Sequence, residues 1–171
     1  LIKGITGSGK TEVYIRLIKN ALKSGGGSIF LVPEISLTPQ MMDRLKREFG
    51  GNVALLHSRL STKERKEEWY SIKSGNKKVV IGARSAVFAP VQNLKYIILD
   101  EEHETTYKQE SNPRYHTKNV AIKRANLLEN VKVILGSATP SFDTYYQAKE
   151  GVIELLELKN RYNDAKKPVY D

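Results

Sequence analysis

Short apolar runs rich in β-branched residues alternate along this chain with longer segments in which apolar positions recur at helical spacing. Several runs do not alternate with polar residues, and residues 29–32 and 96–99 are apolar throughout. Such runs are typical of parallel strands that are covered by helices on both faces of a sheet. The pattern predicts an α/β fold with strands at residues 1–4, 28–32, 53–56, 78–82, 96–100, 131–136 and 152–158.

The segments between these strands carry helix start signals. Thr38 can cap a helix that has Pro39 in its first turn. Ser61 and Glu64 have capping-box spacing at the start of another helix. Trp69 in this helix is expected to anchor it to the core, and the alternative is a residue that stacks on a base. The predicted helices lie at about residues 13–22, 38–49, 61–72, 118–128 and 142–149.

A glycine-rich segment follows the first predicted strand and precedes the first predicted helix. Glycines let successive N–H groups point into one concavity, and the helix presents its positive end to the same anion. In such a loop Lys10 reaches the β- and γ-phosphates of ATP, and the Thr11 hydroxyl coordinates Mg²⁺. The alternative is a glycine-rich turn that has the spacing of a phosphate-binding loop by chance. The segment reads Gly4, Ile5, Thr6, Gly7, Ser8, Gly9, Lys10 and Thr11.

Three carboxylates and a histidine follow the apolar run at residues 96–99. Asp100 can hold Mg²⁺ through the hydration shell of the ion, and Glu101 is the candidate general base that orients the attacking water. Adjacent carboxylates repel one another unless a cation or a polar network compensates for their charge. The alternatives are a solvated acidic turn and, for His103, a polar contact with no chemical role.

Composition narrows the possible classes of protein. A length of 171 residues fits one compact domain, and a net charge of +9 favours polyanionic partners such as nucleic acid. The sequence has no cysteine, which excludes disulfides and thiolate zinc sites within these residues. It has neither an apolar run long enough to cross a bilayer nor a signal-peptide pattern, so we expect a cytoplasmic protein without a membrane partner. Because the chain begins at Leu1 inside a predicted strand, we expect a piece of a longer protein.

A third motif, Gly-Ser-Ala-Thr-Pro at residues 136–140, ends the next apolar run. The order of phosphate loop, Asp-Glu-Glu-His and Ser-Ala-Thr resembles the core of superfamily 2 helicases. Within that superfamily the chain resembles the PriA family, the bacterial primosomal helicases that restart stalled replication forks. Residues 31–40, which read LVPEISLTPQ, are far more diagnostic than the phosphate loop. The other segments that carry the resemblance lie at residues 57–58, 82–90 and 107–109.

The resemblance implies the first of two RecA-like motor domains of an ATP-dependent 3′–5′ DNA helicase. In such helicases some residues face the tracked strand, here Pro33, Thr38, Arg84 and Ser85. Others couple nucleotide state to the grip on DNA, here Glu102, His103, Ser137 and Thr139.

Residues 107–124 are similar to the aromatic-rich loop of the family, which is thought to couple DNA contact to hydrolysis. Tyr107 and Tyr115 can stack on bases, and basic residues such as Lys108 can contact phosphates. The alternative is that these tyrosines pack the loop onto its own domain. Relatives carry an Arg-Asp pair where this chain reads Lys118-Asn119, so the salt bridge of that pair has no direct counterpart.

The resemblance also sets expectations beyond the site. Residues 1–154 would form the motor domain, and residues 155–171 would begin a linker or the second motor domain. Single-stranded or forked DNA, primosome proteins and single-strand-binding proteins are the implied partners, and zinc is expected only in a region of the family that this chain lacks.

Two rival hypotheses about the function remain. One is another superfamily 2 motor, either an RNA helicase or a restriction-type translocase, and the other is a nucleotide-gated binding module without motor activity.

Overall fold

The computed structural model describes residues 1–160 and has a seven-stranded sheet in which every hydrogen-bonded pair of strands is parallel. Two further short strands pair as a separate antiparallel hairpin. In chain order the strands are β1 (Ile2–Gly4), β2 (Gly27–Leu31), β3 (Val53–Leu56), β4 (Val79–Gly82), β5 (Leu94–Leu99), β6 (Lys108–Gln109), β7 (Tyr115–His116), β8 (Lys132–Ser137) and β9 (Leu156–Leu158). The strands of the large sheet lie in the order β3-β4-β2-β5-β8-β1-β9, and β6 and β7 form the hairpin.

Helices cover both faces of the large sheet. They are α1 (Lys10–Lys23), α2 (Pro39–Phe49), α3 (Thr62–Lys73), α4 (Thr117–Leu127) and α5 (Phe142–Lys149). One core joins α1 and α2 to side chains such as Phe30 and Ile98, and the other joins α3 and α4 to Ile29 and Ile97. Adjacent strand residues thus enter different cores, which explains the unbroken apolar runs and confirms the predicted α/β fold. None of the helices described is long and apolar enough to cross a membrane.

The predicted helix caps are present, but one predicted anchor is not. Thr38 Oγ1 accepts a hydrogen bond from the Met41 amide at 3.3 Å. Ser61 and Glu64 form both bonds of a capping box at the start of α3. The prediction that Trp69 anchors this helix is wrong, because its side chain is 37% exposed and the residue that α3 fully buries is Ile72.

The last strand of the sheet is shorter than predicted. Residues 151–153 form a turn, and only Leu156–Leu158 pair with β1 at the edge of the sheet. β9 belongs to the same sheet as β1. The predicted boundary of the motor domain, between residues 154 and 155, stays a prediction. The predicted linker also includes residues 161–171, which lie outside the described residues.

Three neighbouring strands, β5, β8 and β1, bring the sequence motifs to one edge of the sheet. Parallel strands end on the same side, so the segments after their carboxyl ends lie next to one another. The phosphate loop follows β1, Asp100 follows β5, and Ser137 ends β8. This edge is where parallel α/β sheets bind ligands.

Candidate functional site

The phosphate loop, residues 4–11, turns sharply before α1. Gly7 and Gly9 have φ angles of +80° and +91°, which side-chain-bearing residues rarely adopt. Gly9 occupies the N-cap position of α1 without a capping side chain, so the first N–H groups of the helix are left for a ligand. A Cβ atom on Gly4 would overlap the Ser8 hydroxyl, which is itself buried without a hydrogen-bond partner. The loop therefore has the shape of an anion cradle.

Lys10 lies at the centre of this cradle. Its side chain is only 7% exposed, and its Nζ atom donates to the Gly4 carbonyl at 2.7 Å. The same Nζ atom is 3.8 Å from Glu101 Oε1, which brings the ends of β1 and β5 together. The open space beside Lys10 is a cleft of about 400 Å³, lined by Thr6, Gly7, Gly9, Lys10, Thr11, Glu12, Arg44, Asp100 and Glu101.

Two tyrosine hydroxyls donate hydrogen bonds to Asp100, one to its carboxylate and the other to its backbone carbonyl. Tyr14 donates to Asp100 Oδ1 at 3.0 Å, and Tyr107 donates to the Asp100 carbonyl at 2.8 Å. Burial, and then the charge of Glu101, raise the pKa of the Asp100 carboxyl above its ordinary value. A cation bound next to this carboxylate would oppose both effects, so its surroundings suit a metal ligand.

Glu101 has a φ angle of +46°, in the left-handed region that is uncommon for residues with side chains. Its carbonyl accepts a hydrogen bond from the Glu104 amide at 2.9 Å, which holds this conformation. Backbone strain of this kind clusters at functional sites. The strained backbone at Glu101 is consistent with a carboxylate that is held facing the cleft.

The donors in this cleft suit Mg²⁺ in its nucleotide-bound form. Within residues 1–160, no group of three or more His, Cys, Asp or Glu side chains could hold a metal ion by itself. Mg²⁺ prefers oxygen ligands and usually keeps several waters alongside nucleotide phosphates, with one or two ligands from the protein. The Thr11 hydroxyl and the Asp100 carboxylate, which line the same cleft, fit that requirement.

Three of the four residues predicted to couple nucleotide state to DNA, His103, Ser137 and Thr139, meet beside the cleft. His103 Nδ1 and Ser137 Oγ are 2.8 Å apart, and the Thr139 amide donates to Ser137 Oγ at 3.0 Å. His103 Nδ1 is also 3.7 Å from Glu101 Oε2. Glu101 is thus connected through a histidine to the segment after β8.

Glu102 points away from the cleft into a buried polar network. It accepts hydrogen bonds from the Ser141 amide at 2.7 Å and from Thr144 Oγ1 at 2.9 Å, and Lys118 Nζ is 3.4 Å away. Burial alone would raise the pKa of Glu102, but these bonds and the Lys118 charge together hold it below the ordinary value. The network ties the end of β5 to α4 and α5, and gives Lys118 an ionic partner despite the departure from the family pattern.

Replacing Glu102 by alanine is expected to lower the free energy of unfolding by about 3 kcal/mol, because Lys118 and Thr144 would lose a shared buried acceptor. Urea denaturation of the chain measures the change. Glu104→Ala is the matched control, since that side chain is 40% exposed and its removal should cost less than about 0.5 kcal/mol. Equal stability of the two variants would contradict the structural role of Glu102.

Residues predicted to face a nucleic acid strand are only partly accessible. Arg84 and Ser85 line a cleft of about 240 Å³ between the segments that follow β2 and β4. Arg84 Nη1 donates to the Thr106 and Lys108 carbonyls at 3.2 and 2.8 Å, while Ser85 and Thr38 are exposed.

Two of the residues predicted to contact a strand are buried. Pro33 is buried. Tyr107 is 1% exposed, and besides the bond of its hydroxyl to Asp100, its carbonyl accepts a hydrogen bond from Thr117 at 3.0 Å. Both residues line the cleft that Arg84 and Ser85 also line, so their contact with a strand stays a prediction. For Tyr107, the alternative of packing onto its own domain is the one that the structure shows.

Tyr115 and Lys108 lie on the hairpin that β6 and β7 form. Tyr115 is half-buried and meets Phe88 edge to face, with ring centroids 5.0 Å apart. The hairpin lines an open groove of about 460 Å³ that Arg114 and His116 also line. Arg124, by contrast, turns inward and donates to the Val87 and Ala89 carbonyls. On the hairpin, Lys108 and Arg114 are exposed, and Lys108 Nζ is 3.3 Å from Glu110 Oε1.

Sequence reasoning did not single out two residues of the nucleotide cleft. Tyr14 lies within α1, and its hydrogen bond to Asp100 spans 86 positions. Arg44 lies on α2, where its guanidinium is 3.3 Å from Glu12 Oε2 at the rim of the cleft. The spacing of Tyr14 three residues after Thr11 is a signal that could have identified it, whereas Arg44 has no such local signal.

Comparison with known proteins gives consistent results. A family model described as DEAD/DEAH box helicase matches residues 1–148. The chain is 56% identical over 163 residues to the replication restart protein PriA of Bacillus subtilis (strain 168), which covers 95% of this chain and 20% of that protein. It is 47% identical over 162 residues to PriA of Chlamydia pneumoniae, covering 94% of this chain and 22% of that protein. The resemblance to PriA seen in the motifs is confirmed, and the chain spans about a fifth of the length of these relatives.

The fold also matches solved helicase structures. The structure of RecG bound to a three-way DNA junction superposes with a TM-score of 0.67 at 24% identity, covering 97% of this chain and 21% of that one. The helicase domain of Pyrococcus furiosus Hef superposes with a TM-score of 0.65 at 21% identity, covering 92% and 34%. At these identities the likeness shows the fold alone, and it confirms the predicted RecA-like arrangement.

Proposed function

Since this chain belongs to the DEAD/DEAH box helicase family, we propose that it is the ATP-binding motor domain of a 3′–5′ DNA helicase that restarts stalled replication forks. The observation that carries the proposal is the meeting of Lys10, Asp100 and Glu101 around one cleft at the end of the sheet. The restart role rests on the similarity to PriA. The relatives are about five times as long as this chain, so we place the complete activity in a longer protein.

In the proposed reaction, the glycine-rich backbone and Lys10 bind the phosphates of ATP. Bound Mg²⁺, which Thr11 and Asp100 would hold, would neutralise charge on the β- and γ-phosphates. Glu101 would orient a water molecule for attack on the γ-phosphate and accept its proton. His103 would transmit the protonation of Glu101 to Ser137, because its Nδ1 atom lies near both side chains.

The isolated chain should hydrolyse ATP at a rate near background. Family resemblance places the transition-state arginines on a second motor domain, and such an arginine is worth about 10³ to 10⁵ in rate. Turnover by the isolated chain as fast as by the longer protein would contradict the proposal.

The proposed DNA face consists of Thr38, Arg84, Ser85, Lys108 and Tyr115. Exposed hydroxyls and the basic hairpin can contact phosphates, and the accessible side of Tyr115 can stack on a base. The bonds from Arg84 to the Thr106 and Lys108 carbonyls would transmit movement of the strand to the loop that ends at the hairpin. By family resemblance the partners are forked DNA, primosome proteins and single-strand-binding proteins in the bacterial cytoplasm. Zinc would be needed only in a region that this chain lacks.

Strand separation by the longer protein tests this function. We expect ATP-dependent unwinding of a duplex with a 3′ single-stranded DNA arm, and little unwinding of one with a 5′ arm. Preference for an RNA duplex would instead indicate an RNA helicase. Translocation along intact DNA without strand separation would indicate a restriction-type motor, and nucleotide binding without any turnover would indicate a nucleotide-gated binding module.

A further inference from the structure

Tyr14 carries a buried hydroxyl that packing alone does not explain. The side chain is fully buried, and its ring packs against Phe30 with centroids 5.4 Å apart, a contact that phenylalanine would also make. A buried hydroxyl is unfavourable unless it is hydrogen-bonded, and the partner here is Asp100 Oδ1 at 3.0 Å. The Tyr14 hydroxyl is the donor in this bond, because a carboxylate oxygen accepts.

The backbone around this hydroxyl leaves room for it. A Cβ atom on Gly136 would overlap the Tyr14 hydroxyl and would lie 3.3 Å from Asp100 Oδ1. Gly136 is in β8, which lies between β1 and β5. The absence of a side chain at this position therefore allows a residue of α1 to reach across β8 to the end of β5.

Helical spacing connects Tyr14 to the other oxygen donor of the cleft. Thr11 and Tyr14 are three residues apart on α1, so they lie on neighbouring positions of one helix face. One helix thus provides the Thr11 hydroxyl and the donor that fixes Asp100. The same helix therefore carries one proposed Mg²⁺ ligand and contacts the carboxylate of the other.

We infer that Tyr14 is a positioning residue for Mg²⁺, whose hydroxyl fixes the Asp100 carboxylate relative to Thr11 and so sets the Mg²⁺ dependence of nucleotide binding. This inference rests on the proposed function. A carboxylate without a partner can rotate about its side-chain bonds, whereas a hydrogen bond to one oxygen orients the group toward an ion. Loss of such an outer partner typically weakens metal affinity about 10- to 100-fold.

Binding of a fluorescent ADP analogue to the 171-residue chain, in EDTA and over a range of Mg²⁺ concentrations, tests the inference. For Tyr14→Phe we expect the Mg²⁺ concentration that gives half of the affinity gain to rise about 10-fold or more. Affinity in EDTA should stay unchanged, because the phosphate cradle is intact. Gly136→Ala should shift the Mg²⁺ dependence in the same direction by displacing the hydroxyl.

Tyr107→Phe is the matched control. It removes an equally buried tyrosine hydroxyl that also bonds to Asp100, but at the backbone carbonyl rather than the carboxylate. We expect it to leave the Mg²⁺ dependence unchanged. A shift equal to that of Tyr14→Phe would show general loosening around Asp100 and overturn the inference.

The remaining outcomes separate this inference from the proposed function. If wild-type binding depends on Mg²⁺ and Tyr14→Phe behaves in the same way, the positioning role is wrong and the proposed function is unaffected. If Tyr14→Phe weakens binding equally with and without Mg²⁺, its role is structural and the inference is also wrong. If wild-type binding does not depend on Mg²⁺ at all, both the inference and the proposed metal site fall.

Discussion

Glu101→Gln in the longer protein is expected to lower kcat for ATP hydrolysis by about 10²- to 10⁴-fold. Glutamine keeps the size of the side chain and can still hydrogen-bond to water, but it cannot accept a proton. Nucleotide affinity should be unchanged or tighter, because Lys10, whose Nζ atom is 3.8 Å from Glu101, would lose a competing anion. Steady-state hydrolysis and binding of labelled ADP measure the two effects separately.

Glu104→Gln provides the control for this substitution. It makes the same chemical change three residues further along, on a side chain that is 40% exposed and does not line the cleft. We expect hydrolysis close to that of the wild type. If Glu101→Gln retained the wild-type rate, Glu101 would not be the general base, and the role of the cleft would have to be reassigned.

Lys10→Ala in the isolated chain is expected to weaken nucleotide binding by about 10- to 100-fold. Bonds from an ammonium group to phosphate oxygens are charge-assisted and contribute about 1.5–3 kcal/mol each. The side chain is only 7% exposed, so little water would screen the interaction. Fluorescence anisotropy of labelled ADP in the presence of Mg²⁺ measures the loss.

Lys19→Ala is a suitable comparison because Lys19 lies on the same helix and pairs with Glu48 outside the cleft. It removes the same charge from α1 and should leave the binding of labelled ADP unchanged. Equal weakening by the two substitutions would indicate a general electrostatic effect and would contradict a phosphate contact by Lys10.

The central strands were predictable because each is apolar at consecutive positions and lies between two helical layers. Residues 28–32 were predicted as a strand, and Gly27–Leu31 form β2, which is buried throughout. The hairpin strands β6 and β7 have two residues each, too few to give a periodic signal. The strand β9 was predicted four residues too long, because none of its three residues is buried and no buried position marks where it begins.

Contacts between distant segments were the least predictable part of the site. The motifs identified Lys10 and Asp100 because their order and spacing reflect phosphate chemistry. Whether an aromatic ring in a polar loop faces inward depends on partners that local sequence does not show. Tyr107 is buried because its hydroxyl finds the Asp100 carbonyl and Thr117 bonds to its own carbonyl. The inward turn of Arg124 likewise depends on carbonyls more than 30 positions away.

ATP hydrolysis by the longer protein with no nucleic acid, with single-stranded RNA and with forked DNA tests the motor assignment most directly. We predict that forked DNA raises the rate well above the other two conditions, because DNA contact would be coupled through the loop and hairpin to the cleft. A rate that is unaffected by DNA, or that is raised only by RNA, would contradict the proposal that this chain drives a DNA helicase.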